Sequence, residues 1–255
     1  MKISVITICY NAVLYIDRAI HSVLKQDYDN WEHIVIDGGS TDGTVEVLKK
    51  YNHLKWVSES DRGQSDAMNK GFKESSGEII IYLNADDELN HGLFSFVANH
   101  FISSPETDML VMNLLSINSG KEIYTTPSTS LKEILRYNPC RFPLNPVSYA
   151  YRKGLQYKTG LFPVNNHYAM DYWFLIRAYL FGNIQYKDFL GGTFYFDGNN
   201  KSADWANSCK HMKAVRDWFL IRYFYKKPVR EFNYRFLIYK LHMFWIKVKS
   251  YSLHT

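Results

Sequence analysis

The sequence predicts an α/β domain whose central, mostly parallel sheet is flanked by helices. Three observations carry this. Short apolar runs alternate with amphipathic ones over the first hundred residues, the pattern of βα units feeding a parallel sheet. The run Ile79, Ile80, Ile81, Tyr82, Leu83 is apolar without a break, as a strand covered on both faces must be. Each apolar run of this region also ends in short polar residues, and in open parallel sheets the loops after the strand carboxyl ends converge on one crevice.

Residues 3–8 form the first strand, and Asn11 is placed to cap a helix whose apolar face is Ile16, Ala19, Ile20, Val23 and Leu24, ending near Gln26. Residues 33–36 are the second strand. They run into Asp37, Gly38, Gly39, Ser40, Thr41, Asp42, Gly43 and Thr44, a loop by composition, before a helix over 45–51. A strand at 55–58 and a helix at 66–75 come next, with Gly77 as the stop. The strand at 78–83 ends at Asn84, Ala85, Asp86 and Asp87, and a helix is expected over 89–101.

Beyond about residue 105 the period is less regular. Strands are predicted at 108–118, 122–126 and 147–152, helices at 131–137 and 170–181, and a last strand over 187–196 bent at Gly191 and Gly192. Pro139, Pro143 and Pro146 punctuate the loop between. The expected division is a first half over 1–104, a second over 105–200 and a carboxyl-terminal helical tail over 201–255.

The chain has 255 residues, enough to bury a substantial core, and 46% of them are hydrophobic, which excludes general disorder. Cys9, Cys140 and Cys209 are an odd, widely spaced set, so the reading is a reducing, cytoplasmic compartment without a disulfide framework or zinc knuckle. The apolar run at 3–9 is too short and has the wrong flank for a signal peptide, and no apolar run is long enough to span a bilayer. Charge is uneven: residues 201–255 carry 12 Lys and Arg against Asp204, Asp217 and Glu231, whereas the first 200 residues are net acidic.

Asp86 and Asp87 are adjacent carboxylates at the point where a buried strand becomes a loop. Mg²⁺ or Mn²⁺ resolves such repulsion by taking one or two carboxylates and filling its other positions with phosphate oxygens and water. A helix cap is the plain alternative for an isolated Asp-Asp pair. The glycine-rich loop at 37–44 lacks the spacing of a P-loop or a dinucleotide fingerprint, so it reads either as a backbone cradle for a ligand or as a tight connector. Arg62 and Lys70, in a dense polar segment, either face phosphate or belong to a solvated helix start.

Three segments then matter as an ordered set: SVITICYNAVLYIDRAIHSVLKQDYDNWEHIVIDGGSTDGT, SESDRGQSDAMNKGFKESSGEIIIYLNADD and YAMDYWFLIR. Together the chain resembles glycosyltransferase family 2 over residues 1–200. The resemblance implies a GT-A, Rossmann-like fold and transfer from a nucleotide-sugar donor. It places Thr7, Tyr10 and Asp37 around the nucleoside, with Asp37 at the base, and Arg62 and Asp66 beside ribose and phosphates. Asp86 occupies the middle of the DXD-like element and Asp87 its last position, the usual metal ligand. Asp171, at the start of the 170–181 helix, matches the base of inverting members. An N-terminal cap is its alternative role. Trp173, Leu175, Asn145 and Pro146 depart from the family pattern on the acceptor side.

The tail interleaves basic and aromatic residues as two helices broken near Pro228, with Phe232, Phe236, Tyr239, Met243 and Ile246 along one stripe. Such a surface suits the inner face of an anionic membrane, or packs on its own domain or on a second copy. No recognition motif supports nucleic acid binding. The expectation is an inverting, Mg²⁺- or Mn²⁺-dependent glycosyltransferase moving a UDP-linked hexosyl or N-acetylhexosaminyl group to a saccharide or lipid-linked acceptor of a surface polysaccharide or glycolipid. The rivals are a nucleotidyltransferase, which lacks its basic amino-terminal loop here, and a catalytically silent membrane or partner adaptor.

Overall fold

The computed structural model describes residues 1–136, 141–143, 145–196 and 204–224. Strands β1 (Ile3–Cys9), β2 (Trp31–Asp37), β3 (Leu54–Ser58) and β4 (Ile79–Asn84) lie in the order β3-β2-β1-β4, all parallel. Their register brings the strand exits level. Cys9 stands opposite Asp37, Asp37 opposite Ser58, and Ile8 opposite Asn84, so the polar exits of all four strands share one rim.

Helices α1 (Ile16–Leu24), α2 (Thr44–Leu48) and α3 (Gln64–Glu74) connect these strands. Close packing fixes α3: a Cβ on Gly71 would sit 2.3 Å from Cγ2 of Ile6, so only glycine lets the helix lie on β1. The expected Asn11 cap does not form. Asn11 has a left-handed φ of 49° and its side chain accepts from the Thr41 amide at 3.0 Å, tying two loops together. The Ala12 carbonyl receives the Tyr15 and Ile16 amides at the start of α1 instead.

The helix expected over 89–101 starts later, as α4 (Leu93–Ser103), because Glu88 and Leu89 form strand β5 (Glu88–Leu89) and pair with Thr193 and Gly192. Next come β6 (Met109–Asn118), β7 (Lys121–Thr125), α5 (Leu131–Arg136), a 3-10 turn (Pro146–Ser148), β8 (Tyr149–Arg152) and a helix not anticipated, α6 (Lys153–Thr159). Then α7 (Met170–Phe181), as expected, precedes β9 (Ile184–Phe196) and α8 (Trp205–Phe224). The sheet continues past β4 through β8, β6, β9 and β5, with β7 folding back on β6. It is parallel over the first half and mixed beyond, since β8 runs antiparallel to both β4 and β6 while β9 runs parallel to β6. The glycine pair allows close approach as well as a bend: a Cβ on Gly191 would lie 2.3 Å from the Val147 carbonyl oxygen, and one on Gly192 equally near that of Glu88.

Both halves therefore share one sheet. The start of the tail joins them, because Met212, Val215 and Phe219 of α8 are buried in the same cluster as Tyr172, Leu175, Ile176 and Tyr179 of α7. The expected second tail helix, with Phe232, Phe236, Tyr239, Met243 and Ile246, lies outside the described residues, as do Tyr137 and Pro139.

At the opposite rim, buried Glu32 on β2 accepts from Ser4 at 2.6 Å, from the Ser76 amide at 2.6 Å, and from Lys2 and Lys55 at 3.0 and 2.7 Å. Burial alone would raise its proton affinity, but these donors win and hold its carboxyl well below the usual carboxylate range. A depressed folded-state value contributes stability that is present above the unfolded value near 4.5 and is lost as pH falls. Glu32→Gln is expected to lower stability at pH 7 by about 2 kcal/mol. In urea titrations the gap between variant and wild type should close as pH drops below about 4.

Candidate active site

The rim where the parallel strands end opens into a cavity of about 1110 Å³. Its walls combine the loop after β1 (Tyr10, Asn11, Ala12), Gly38 after β2, Ser60, Asp61 and Gly63 after β3, and Asn84 at the end of β4 with Ala85 and Asp86 after it. The second half contributes Phe142, Asn145, His167, Tyr168, Asp171, Phe194 and Phe196, and α8 adds Ser208 and Met212. Asp86 and Asp171, 85 positions apart in the chain, thus line one space. The charged side chains among the described lining residues are Asp61, Asp86 and Asp171, with no lysine or arginine.

The carboxylate of Asp171 sits in the first turn of α7, where one oxygen accepts the Tyr172 amide at 2.8 Å. Tyr10 also lines the cavity and is 67% exposed, a bare aromatic face beside Gly38. Thr7 and Asp37 are different. Both are fully buried behind the wall, where Thr7 hydrogen-bonds His33 at 2.9 Å. Asp37 accepts from the Gly39 and Ser40 amides at 3.1 and 2.9 Å, from Ser58 at 2.6 Å and from the Ser40 hydroxyl, and those donors pull its carboxyl below the ordinary value against the opposing effect of burial. Its oxygens shape the turn that carries Gly38. Arg62 and Asp66 also stand outside the described wall, paired with each other at 3.3 Å with Arg62 largely exposed. Lys70 pairs with Glu59 at 2.7 Å.

The two adjacent aspartates separate. Asp86 faces the cavity, while Asp87 is fully buried beside it. Asp87 accepts from the side-chain amides of Asn84 at 2.9 Å and Asn145 at 2.7 Å, and from the Tyr195 backbone amide at 3.3 Å. Burial, and then the charge of Asp86, push its carboxyl up to about 7 despite these donors. A divalent cation would relieve that repulsion. Among the described residues no three acidic, histidine or cysteine side chains form a ready-made metal cluster. Two carboxylates nevertheless fit a cation that draws its remaining ligands from phosphate and water.

Sequence reasoning missed the role of Asn145, which looked like an acceptor contact and instead satisfies Asp87. It also missed Ser208 and Met212. The i, i+3, i+7 spacing of Met212, Val215 and Phe219 was the available signal that α8 packs on the domain. The stack of His211 on Tyr168, with centroids 5.0 Å apart, fixes α8 to the loop that leads into Asp171.

This arrangement matches known proteins. The model of glycosyl transferase family 2 matches residues 4–185, and the chain belongs to that family. Among its relatives is TarS of Staphylococcus aureus, a poly(ribitol-phosphate) beta-N-acetylglucosaminyltransferase, 28% identical over 196 residues that cover 72% of this chain and 33% of TarS. Another is TuaG of Bacillus subtilis, a putative teichuronic acid biosynthesis glycosyltransferase, 38% identical over 92 residues, 34% of this chain and 36% of TuaG. The chain thus spans about a third of the length of these relatives. Residues 1–349 of TarS superpose with a TM-score of 0.65 at 25% identity, covering 84% of this chain and 65% of that one. The mannosyltransferase PcManGT of Pyrobaculum calidifontis, solved with GDP-Man and Mn²⁺, superposes at 0.64 with 19% identity, covering 87% and 64%, a likeness of fold. The fold is therefore GT-A.

Asn145→Leu removes a donor from a buried carboxylate. It is expected to cost about 2 kcal/mol at pH 7, read as a lower denaturant midpoint with an unchanged slope.

Proposed function

We propose that the chain is an inverting glycosyltransferase that takes a sugar from a UDP-linked donor, with Asp86 and Asp87 holding Mg²⁺ or Mn²⁺ and Asp171 as the general base. The observation that carries this is the cavity itself, in which Asp86 and Asp171 face one space whose described wall has no cationic side chain. A diphosphate entering an acidic cavity needs positive charge from elsewhere, and two adjacent carboxylates are the place to hold it. The bound cation would neutralise charge on the departing diphosphate. TarS, solved with UDP and with UDP-GlcNAc, supports the donor class, and PcManGT with GDP-Man and Mn²⁺ supports the metal.

On this reading Tyr10 offers its exposed face to the nucleobase, and Gly38 lets the base approach the loop that Asp37 braces. The acceptor hydroxyl lies by Asp171. Its oxygen forms the new bond to the anomeric carbon on the face opposite the diphosphate, the bond to the diphosphate breaks, and the proton passes to the Asp171 carboxylate. Tyr168, Phe194 and Phe196 line the same cavity as Asp171 and give it a wall suited to the apolar faces of an uncharged sugar ring. The acceptor is accordingly a saccharide, free or lipid-linked, in the assembly of a surface polysaccharide or glycolipid. Among the described residues no helix is long and apolar enough to cross a membrane. The basic tail is proposed to dock the enzyme on anionic lipid at the inner membrane face.

Asp87→Asn should abolish Mn²⁺-dependent UDP binding by calorimetry. Equal UDP affinity of wild-type protein with and without Mn²⁺ rejects the metal assignment. Asp171→Asn should leave UDP binding intact while turnover of the donor falls by about 10²-fold or more, and normal turnover removes Asp171 as base. The full chain should co-sediment with phosphatidylserine vesicles at low salt and dissociate at high salt; absence of binding at low salt excludes docking.

A further inference from the structure

One arginine outside the cavity wall touches the residues on either side of Asp87 and a tyrosine whose backbone holds it. Arg18, on α1, donates from Nη2 to the backbone carbonyl oxygen of Asp86 at 2.5 Å. Its Nε lies 3.0 Å from a carboxylate oxygen of Glu88, two residues further on. Its guanidinium carbon lies 3.8 Å from the ring centroid of Tyr195 on β9. Tyr195 closes the circuit, because its backbone amide donates to Asp87 at 3.3 Å and its hydroxyl bonds Glu88.

We propose that Arg18 is a positioning residue for cation binding: with Glu88 and Tyr195 it clamps the Asp86-Asp87 turn so that Asp86 faces the cavity while Asp87 stays seated beside it. The inference rests on the metal reading of the aspartate pair. A guanidinium is suited to this work, since Nη2 hydrogen-bonds the Asp86 carbonyl and the Nε edge sets the charge against Glu88 while the planar face lies on an aromatic ring, whereas an ammonium is a point donor on a flexible stem. The contacts join α1, the exit of β4, the start of β5 and β9, so no single element sets the turn alone. Arg18 does not line the cavity, and its charge is committed to Glu88 and the Tyr195 ring.

The sign of the effect separates a clamp from a simple field. Deleting a positive charge near a cation site raises cation affinity by Coulomb's law alone. Loss of a clamp lowers it, and removal of partners that orient metal ligands typically costs about 10- to 100-fold. The test titrates Mn²⁺ calorimetrically into the full chain saturated with UDP, alongside the melting temperature of each metal-free variant. Arg18→Ala is expected to weaken Mn²⁺ binding about 10-fold or more. Arg18→Lys keeps the charge, loses the fork and should show most of the same loss; if the alanine variant does not fold, Arg18→Lys and Tyr195→Leu carry the test. Unchanged or tighter Mn²⁺ binding in folded Arg18→Ala, or wild-type affinity in Arg18→Lys, overturns the proposal. A wild-type protein whose UDP binding ignores Mn²⁺ rejects the metal reading itself, a result distinct from a Mn²⁺-dependent wild type matched by its variants.

Discussion

The buried carboxylate of Asp87 is the constraint around which this molecule is organised. A carboxyl group with no exposed surface must be satisfied by donors, or its burial costs several kcal/mol. Its three donors come from three places: Asn84 at the exit of β4, Asn145 ahead of the 3-10 turn, and the Tyr195 backbone on β9. One comes from the first half of the chain and two from the second. Satisfying one carboxylate therefore registers the donor-side strands against the second half, and the close approaches of Gly191 and Gly192 leave little room for that registration to slip.

From this seat the rest of the site is built. With Asp87 drawn inward, the preceding carboxylate is left to the cavity, which Asp171 enters from the second half of the chain. The parallel strands end in register, so the loops after them arrive at one rim, and the second half needs only to bring the start of α7 to that rim. Helix α8 completes the wall. Its buried face packs on α7, and the stack of His211 on Tyr168 ties it to the approach to Asp171, so the part of the tail up to residue 224 belongs to the same packed body.

The donor side was largely legible in the sequence because its signals are local. Apolar runs made β1, β2 and β4 plain, and polar residues at their ends marked the rim. Asp86, Asp171 and Tyr10 line one cavity. Thr7 and Asp37 do not reach it, since sequence shows that a polar residue ends a strand and not whether it faces ligand or its own loop. Strand β5 was not legible, and its Leu89 reads as the start of a helix, because its two residues are set by pairing with β9, about a hundred positions away. Asn145 and Arg18 escaped for the same reason: an amide or guanidinium that satisfies a distant group leaves no period or motif in its own neighbourhood.

The central claim is that Asp86 and Asp87 hold a cation, and that this cation, in a described wall without lysine or arginine, receives the diphosphate. Anomalous diffraction at the manganese edge from crystals of the full chain with UDP and Mn²⁺ tests it most directly. The expected result is one anomalous peak about 2.0–2.3 Å from a carboxylate oxygen of Asp86 or Asp87 and from oxygens of the diphosphate. UDP bound in the cavity with its phosphates on lysine or arginine side chains, and no peak at the aspartates, would contradict it.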